Sequence, residues 1–175
     1  LHERGNLLGT FKAATGDVEA AFAQADHIVE GRYSVPMVHH FCMELHSCIA
    51  AWENGSLKVW GSTQNIFAVR LILSEVFRMP MNKIRVAQLP VGGGFGSKYE
   101  VILEPVAAVL SKMCNGRPVS LTLSRKDTIT STKTRHSAVM YLKAGVRADG
   151  TVIALKYDDY INAGKAVSRG FTLEA

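Results

Sequence analysis

The chain has 175 residues, 47% of them hydrophobic and 20% charged, with a net charge of +5. Such a composition builds a core and excludes a disordered chain, and no apolar run reaches the roughly 20 residues of a membrane span. The basic residues are scattered apart from Arg125, Lys126, Lys133 and Arg135; no aromatic residues interleave with them, so no nucleic-acid partner is expected, and mild solubilising charge or an anionic cofactor accounts for the surplus equally well.

The N-terminus shows no basic segment followed by an apolar stretch, so no signal peptide is read there. Cys42, Cys48 and Cys114 form an odd set without disulfide spacing, which points to reduced thiols and a cytoplasmic location. The chain starts at Leu1 rather than Met and stops at SRGFTLEA with no closing element, as a piece of a longer polypeptide would.

Thr15 and Gly16 precede DVEAAFAQA, a short helix with an acidic first turn. HIVEGRYSV, His27 to Val35, reads as a strand ended by Pro36. His40 to Trp52 reads as a second strand and Leu57 to Gly61 as a third, with an Asn54-Gly55 hairpin signal between them. Ser62-Thr63-Gln64-Asn65 opens a helix on which Ile66, Val69, Leu73, Val76 and Phe77 repeat at helical spacing; it stops before Pro80. Lys83 to Leu89 is a strand that runs into a glycine loop. Glu104 to Met113 is apolar almost all round and reads as a buried helix, with Pro105 in its first turn and Asn115-Gly116 at its end. Arg117 to Leu123 alternates as a strand. Ala138 to Arg147 and Val152 to Ile161 flank a second hairpin signal at Asp149-Gly150. Hairpins and a strand–helix–strand crossover together give an α+β class, a mixed sheet with packed helices. No linker forces a boundary, so residues 1–175 read as one domain.

The glycine loop is PVGGGFGSKYE, Pro90 to Glu100. A phosphate-binding Walker loop requires lysine directly after glycine, but Ser97 separates Gly96 from Lys98. A dinucleotide fingerprint requires a third glycine where Ser97 stands, and an acidic residue about 20 positions on, where none lies. The physical logic of the loop remains. Glycines let backbone approach a ligand closely, and successive N–H groups can face an anion or oxo group. Phe95 places a ring beside whatever binds; the plainer alternative is a tight turn with Phe95 plugging the core.

Residues 39–48 read HHFCMELHSC. On a strand, His40, Cys42, Glu44, His46 and Cys48 share one face. These are zinc-ligand types, but side chains spread along one flat strand seldom converge on an ion. A partly buried strand whose Glu44 and histidines bond to adjacent loops is the simpler reading, and Glu44 positioning groups beside a pocket lies between. Gln64, whose amide both donates and accepts, suits a polar ligand.

The segments GDVEAAFAQADHIVEGRY, HHFCMELHSCIA, STQN, VGGGFGSK and GRPVSLTLSRKD occur in this order over about residues 16–164. So ordered, they resemble the large, molybdenum-cofactor-binding subunit of the xanthine dehydrogenase and aldehyde oxidase family of molybdenum hydroxylases. The resemblance implies molybdopterin, possibly in its cytosine dinucleotide form. It places Gln64 beside the molybdenum, hydrogen-bonded to a metal-bound oxygen, and places Gly93, Gly94, Phe95 and Gly96 around the metal end of the pterin. Phe95, Tyr99 and Glu100 would face substrate. The implied reaction hydroxylates an aldehyde or N-heterocyclic carbon with oxygen from water. Iron–sulfur clusters and FAD would lie on partner domains or subunits, alongside the remainder of the large subunit. Purine-oxidising members carry a glutamate directly after the lysine of this loop; here Tyr99 holds that place and Glu100 follows, turned by about 100° if helical, which argues against a purine. The family's general base, a glutamate near the end of the large subunit, has no match, so no catalytic residue is assigned here. Two other readings stand beside this one: a non-catalytic binding or assembly module of the same fold, and a nucleotide-phosphate-binding domain using Gly92 to Gly96.

Overall fold

A computed structural model describes residues 5–163; the closing stretch SRGFTLEA lies outside them. Apart from the two-residue strands Val38–His39 and Thr134–Arg135, the strands among the described residues are, in chain order, β1 (His27–Val35), β2 (Ser47–Glu53), β3 (Ser56–Gly61), β4 (Ile84–Gln88), β5 (Val119–Thr122), β6 (Ala138–Val146) and β7 (Val152–Ile161). The helices are α1 (Val18–Ala23), α2 (Ile66–Phe77), α3 (Glu104–Met113) and α4 (Arg125–Ser131). The described residues group into two compact units: those up to Val38 together with those from Arg135 on, and His39–Thr134 between them in sequence.

The first unit is an antiparallel sheet in the order β1-β6-β7 with α1 against it. Asp17 starts α1 by accepting the Ala20 N–H at 3.0 Å. Phe22 of α1 is buried, and a Cβ at Gly145 of β6 would lie 3.0 Å from its ring. The strand bounds of β1 and β7 match the sequence reading.

The second unit carries the glycine loop. Its sheet runs β4-β3-β2-β5. β2 and β3 form the hairpin, with Asn54 at φ 49° and Gly55 at φ 72° supplying the left-handed pair that a type I′ turn needs. α2 then carries the chain to β4, parallel to β3 with Leu57 opposite Ile84. One face of this sheet and both helices share a single core: Cys48, Ala50, Leu57, Val59 and Ile84 pack with Val69 and Leu73 of α2 and Ala107 and Ala108 of α3. Each fully buried leucine here contributes roughly 1.5–3 kcal/mol relative to exposure. Asn65 caps α2 at the Ala68 N–H, and Arg78 ends it at φ 50°, two residues before Pro80.

Three expectations change. The strand read as His40 to Trp52 begins only at Ser47. Phe41 at φ 52° turns the backbone out of the extended region, and the Arg125 guanidinium takes the Cys42 and Met43 carbonyls at 2.7 and 2.8 Å, which removes them from any ladder. α3 is not buried all round: small residues Ala107, Ala108 and Ser111 meet the sheet, while Val106, Val109 and Met113 face outward. Small residues let a helix axis approach closely, so they win the inner face. Finally, α4 was not read from the sequence. Its signal was Ser124 three residues before Asp127, which form a reciprocal capping box.

Candidate functional site

After β4 the chain enters the glycine loop, and α3 begins only at Glu104. The loop therefore does not open a helix, and its N–H groups are not a helix N-terminus. It is held instead by side chains from the 40–46 segment and from the start of α2.

Gln64 is exposed, and its Oε1 accepts from the Gly96 N–H at 3.0 Å and the Lys98 N–H at 3.2 Å. Its own backbone N–H donates to the Lys98 carbonyl at 2.8 Å. A Cβ at Gly94 would lie 2.5 Å from Gln64 Cδ. The side chain thus lies directly on the loop, and glycine is required where it crosses. With Oε1 engaged, the amide nitrogen is the end left to a ligand.

The alternating face predicted for residues 40–46 reaches the loop although the segment is not a strand. A Cβ at Gly96 would come 3.7 Å from His40 Nε2, and one at Gly93 would come 3.4 Å from the Cys42 side chain. Cys42 Sγ lies 3.4 Å from the Gly94 carbonyl. His46 Nε2–H donates to the Ser97 carbonyl at 3.0 Å. Glu44 binds Gly92 at both its N–H and its carbonyl, and pairs with Lys98. Of the candidate zinc ligands, His40, Cys42, Glu44 and His46 thus lie against the loop and Cys48 packs in the core; among the described residues no group of His, Cys, Asp and Glu is placed to share an ion.

Burial raises the Glu44 carboxyl, but the Lys98 hydrogen bond, the Gly92 N–H and the Lys98 charge together outweigh it and hold the group below its ordinary value. Cys48 is pushed up to about 12, first by burial and then by the charge of Glu104, so it is a packing thiol.

Between its anchored ends the loop leaves the N–H groups of Gly93, Gly94 and Phe95 without a hydrogen bond among the described residues. Gly93 has φ 99°, Phe95 φ 52° and Gly96 φ 96°. A bulky residue in the left-handed region is uncommon; such strain persists where surrounding structure imposes it, and it gathers at functional sites. The Phe95 ring is 76% exposed, so it is not a core plug. Successive backbone N–H groups without a protein partner are a feature that can receive an anion.

The family model of the molybdopterin cofactor-binding domain matches residues 1–173. The chain belongs to that family. It is 36% identical over 174 residues to the xanthine dehydrogenase molybdenum-binding subunit of Escherichia coli O157:H7, covering 99% of this chain and 23% of that protein. Its fold is similar to solved aldehyde oxidoreductase from Desulfovibrio gigas, with a TM-score of 0.72 and 25% identity over 83% of this chain and 16% of that one. Quinoline 2-oxidoreductase from Pseudomonas putida 86 is similar too, with a TM-score of 0.69 and 26% identity over 82% of this chain and 18% of that one. This molybdopterin cofactor-binding domain thus spans less than a quarter of the length of the first of these relatives.

The residues present fit the group that the family binds. The unpaired N–H run suits an anionic, oxo-bearing ligand, Gly94 leaves room for the Gln64 side chain across the loop, and Gln64 adds an amide donor. Tyr99 and Glu100 are placed differently from Phe95. Tyr99 is partly exposed and its N–H closes a turn onto the Gly96 carbonyl at 3.4 Å. Glu100 pairs with Lys133 and faces a small cavity shared with His46, Ser62 and Glu104. Lys133 and Arg125, half of the basic cluster, are thereby used inside the unit; Arg125 also stacks on Phe41 at 5.0 Å. The role that sequence reasoning missed is that of Lys98, whose side chain has no solvent exposure; lysine seldom buries unless paired, and nothing in its local sequence marks it as buried.

No helix among the described residues is long and apolar enough to cross a membrane.

Proposed function

We propose that the parent polypeptide is a molybdenum hydroxylase, that it hydroxylates an aldehyde or N-heterocyclic carbon with oxygen from water, and that this chain forms one wall of its molybdopterin site. The observation that carries the reading is the arrangement of Gln64 on the glycine loop: one end of its amide fixes the loop, and the other is left to a ligand beside the free N–H groups of Gly93, Gly94 and Phe95.

When bound, the cofactor supplies Lewis acidity and an electron sink. The chain's own residues hold and orient. The three N–H groups meet anionic oxygens at no reorganisation cost, Gln64 donates from its amide nitrogen, and the exposed Phe95 ring borders the space for substrate. Tyr99 and Glu100 border the same space for substrate in this reading, Glu100 with its carboxylate paired to Lys133. The general base comes from outside this chain. The remainder of the large subunit, iron–sulfur clusters and FAD on partner domains or subunits, and a cytoplasmic location belong to the same proposal.

Gln64→Glu in the full-length enzyme tests it. Glutamate keeps an acceptor for the Gly96 and Lys98 amides but replaces the donor end with an oxygen. Turnover is expected to fall about 100-fold, as when an oriented donor is removed, with the thermal midpoint unchanged. Unaltered turnover overturns the placement of Gln64.

A further inference from the structure

Glu44 and Lys98 form an ion pair that contact with a ligand does not explain. The Lys98 side chain has no exposure and that of Glu44 is 31% exposed. Such a pair is weak support for stability, because desolvating both charges offsets their attraction and neutral residues of similar volume often serve as well.

Its hydrogen bonds show a different use. Glu44 Oε2 accepts from the Gly92 N–H at 2.8 Å and from the Lys98 ammonium, while the Glu44 N–H donates to the Gly92 carbonyl at 3.2 Å. One carboxylate therefore joins the residue that opens the glycine loop to the residue that closes it. The closing half has further anchors, Gln64 on Gly96 and Lys98, and His46 on Ser97. Among the described residues the Gly92 N–H has no acceptor besides Glu44. A Cβ at Gly92 would lie 2.7 Å from Glu44 Cβ, so the two backbones are in close contact and the loop's first residue has little room to move. Charge needs both partners. A lone carboxylate behind the loop would oppose an anion approaching the free N–H groups, and the buried ammonium cancels it.

We infer that Glu44, neutralised by Lys98, is a positioning residue that fixes the opening of the glycine loop, so that the N–H groups of Gly93, Gly94 and Phe95 stand in place before an anionic ligand arrives. The ligand's identity rests on the molybdopterin reading above.

The test compares two double variants of the full-length protein, Glu44→Met/Lys98→Met and Glu44→Gln/Lys98→Met. Both remove the charges together, so neither strands a buried ammonium, and both thermal midpoints are expected near that of the parent. Only the glutamine keeps an oxygen for the Gly92 N–H. Amide hydrogen exchange, read without cofactor, should be about tenfold or more faster at Gly92 in the Met/Met variant and near the parent's in the Gln/Met variant. Molybdenum content should fall in the first and recover in the second. Unchanged Gly92 exchange in the Met/Met variant, or no recovery with glutamine, overturns the inference. If the Met/Met variant does not fold while Gln/Met does, midpoint and exchange have moved together, a merely structural role is indicated, and the inference is overturned. A parent without molybdenum defeats the hydroxylase reading, yet the exchange comparison still decides the role of Glu44.

Discussion

At the tip of the β6–β7 turn, Gly150 has φ 89° and nothing within 4 Å of where a Cβ would stand. In the loop after β4, Gly94 has no such left-handed backbone, yet a Cβ there would strike the Gln64 side chain. The first glycine answers to conformation and the second to contact. The hairpin glycine serves folding and could be exchanged for any residue that tolerates its φ. The loop glycine makes room for a neighbour, and the neighbour is Gln64, the residue proposed to meet a ligand.

Gly94→Ala attacks the contrast most strongly. The added methyl must displace Gln64, and misplacing a positioning group by about 1 Å can lower turnover by about 100-fold. Turnover of the full-length enzyme should fall by that order, with loss of molybdenum; retention of both would equate this glycine with Gly150. Phe95→Ala comes next. The ring is exposed, so cofactor content and midpoint should hold while relative kcat/KM between a small and a bulky substrate shifts by roughly 10-fold, the scale of pocket contacts worth 1–3 kcal/mol.

A pH titration sharpens the same point. The Glu44 carboxyl is depressed in the folded protein, so its contribution is present above its unfolded value and is lost as pH falls through the lower folded one. The midpoint gap between the parent and Glu44→Gln should therefore narrow as pH falls below 4.5, the group's ordinary value; a gap that widens there contradicts the pairing with Lys98. Gly150→Ala should be milder, costing about 1 kcal/mol from the left-handed backbone, with kcat and KM unchanged. The smallest effect is chemical: a thiol reagent at neutral pH should label exposed Cys114 and leave Cys48, whose thiol titrates near 12.

Much of the frame is legible in the sequence where the cause is local. Pro36 closes β1, Asn54-Gly55 and Asp149-Gly150 set the hairpins, and Asn115-Gly116 ends α3. The class is α+β, as read. Where the cause is distant, the reading fails. The 40–46 segment alternates like a strand, but Arg125, some eighty residues on, takes its carbonyls. The alternation still has meaning, since His40, Cys42, Glu44 and His46 all face the glycine loop. Nor does any Gly- or Pro-rich linker mark the two units, because the chain leaves the first after Val38 and returns to it at Arg135. Gln64 and the loop were legible as motifs, but that the amide oxygen is spent on the loop and the nitrogen is left free could come only from the folded geometry.

The most direct measurement is the molybdenum content of the longest native polypeptide that contains this chain, purified from molybdate-supplied cells. Near-stoichiometric molybdenum, with iron on a partner domain or subunit, is the result expected for a hydroxylase whose metal site is walled by Gln64 and the glycine loop. A correctly folded polypeptide that lacks molybdenum would contradict the account and leave the loop as scaffold in a binding or assembly module.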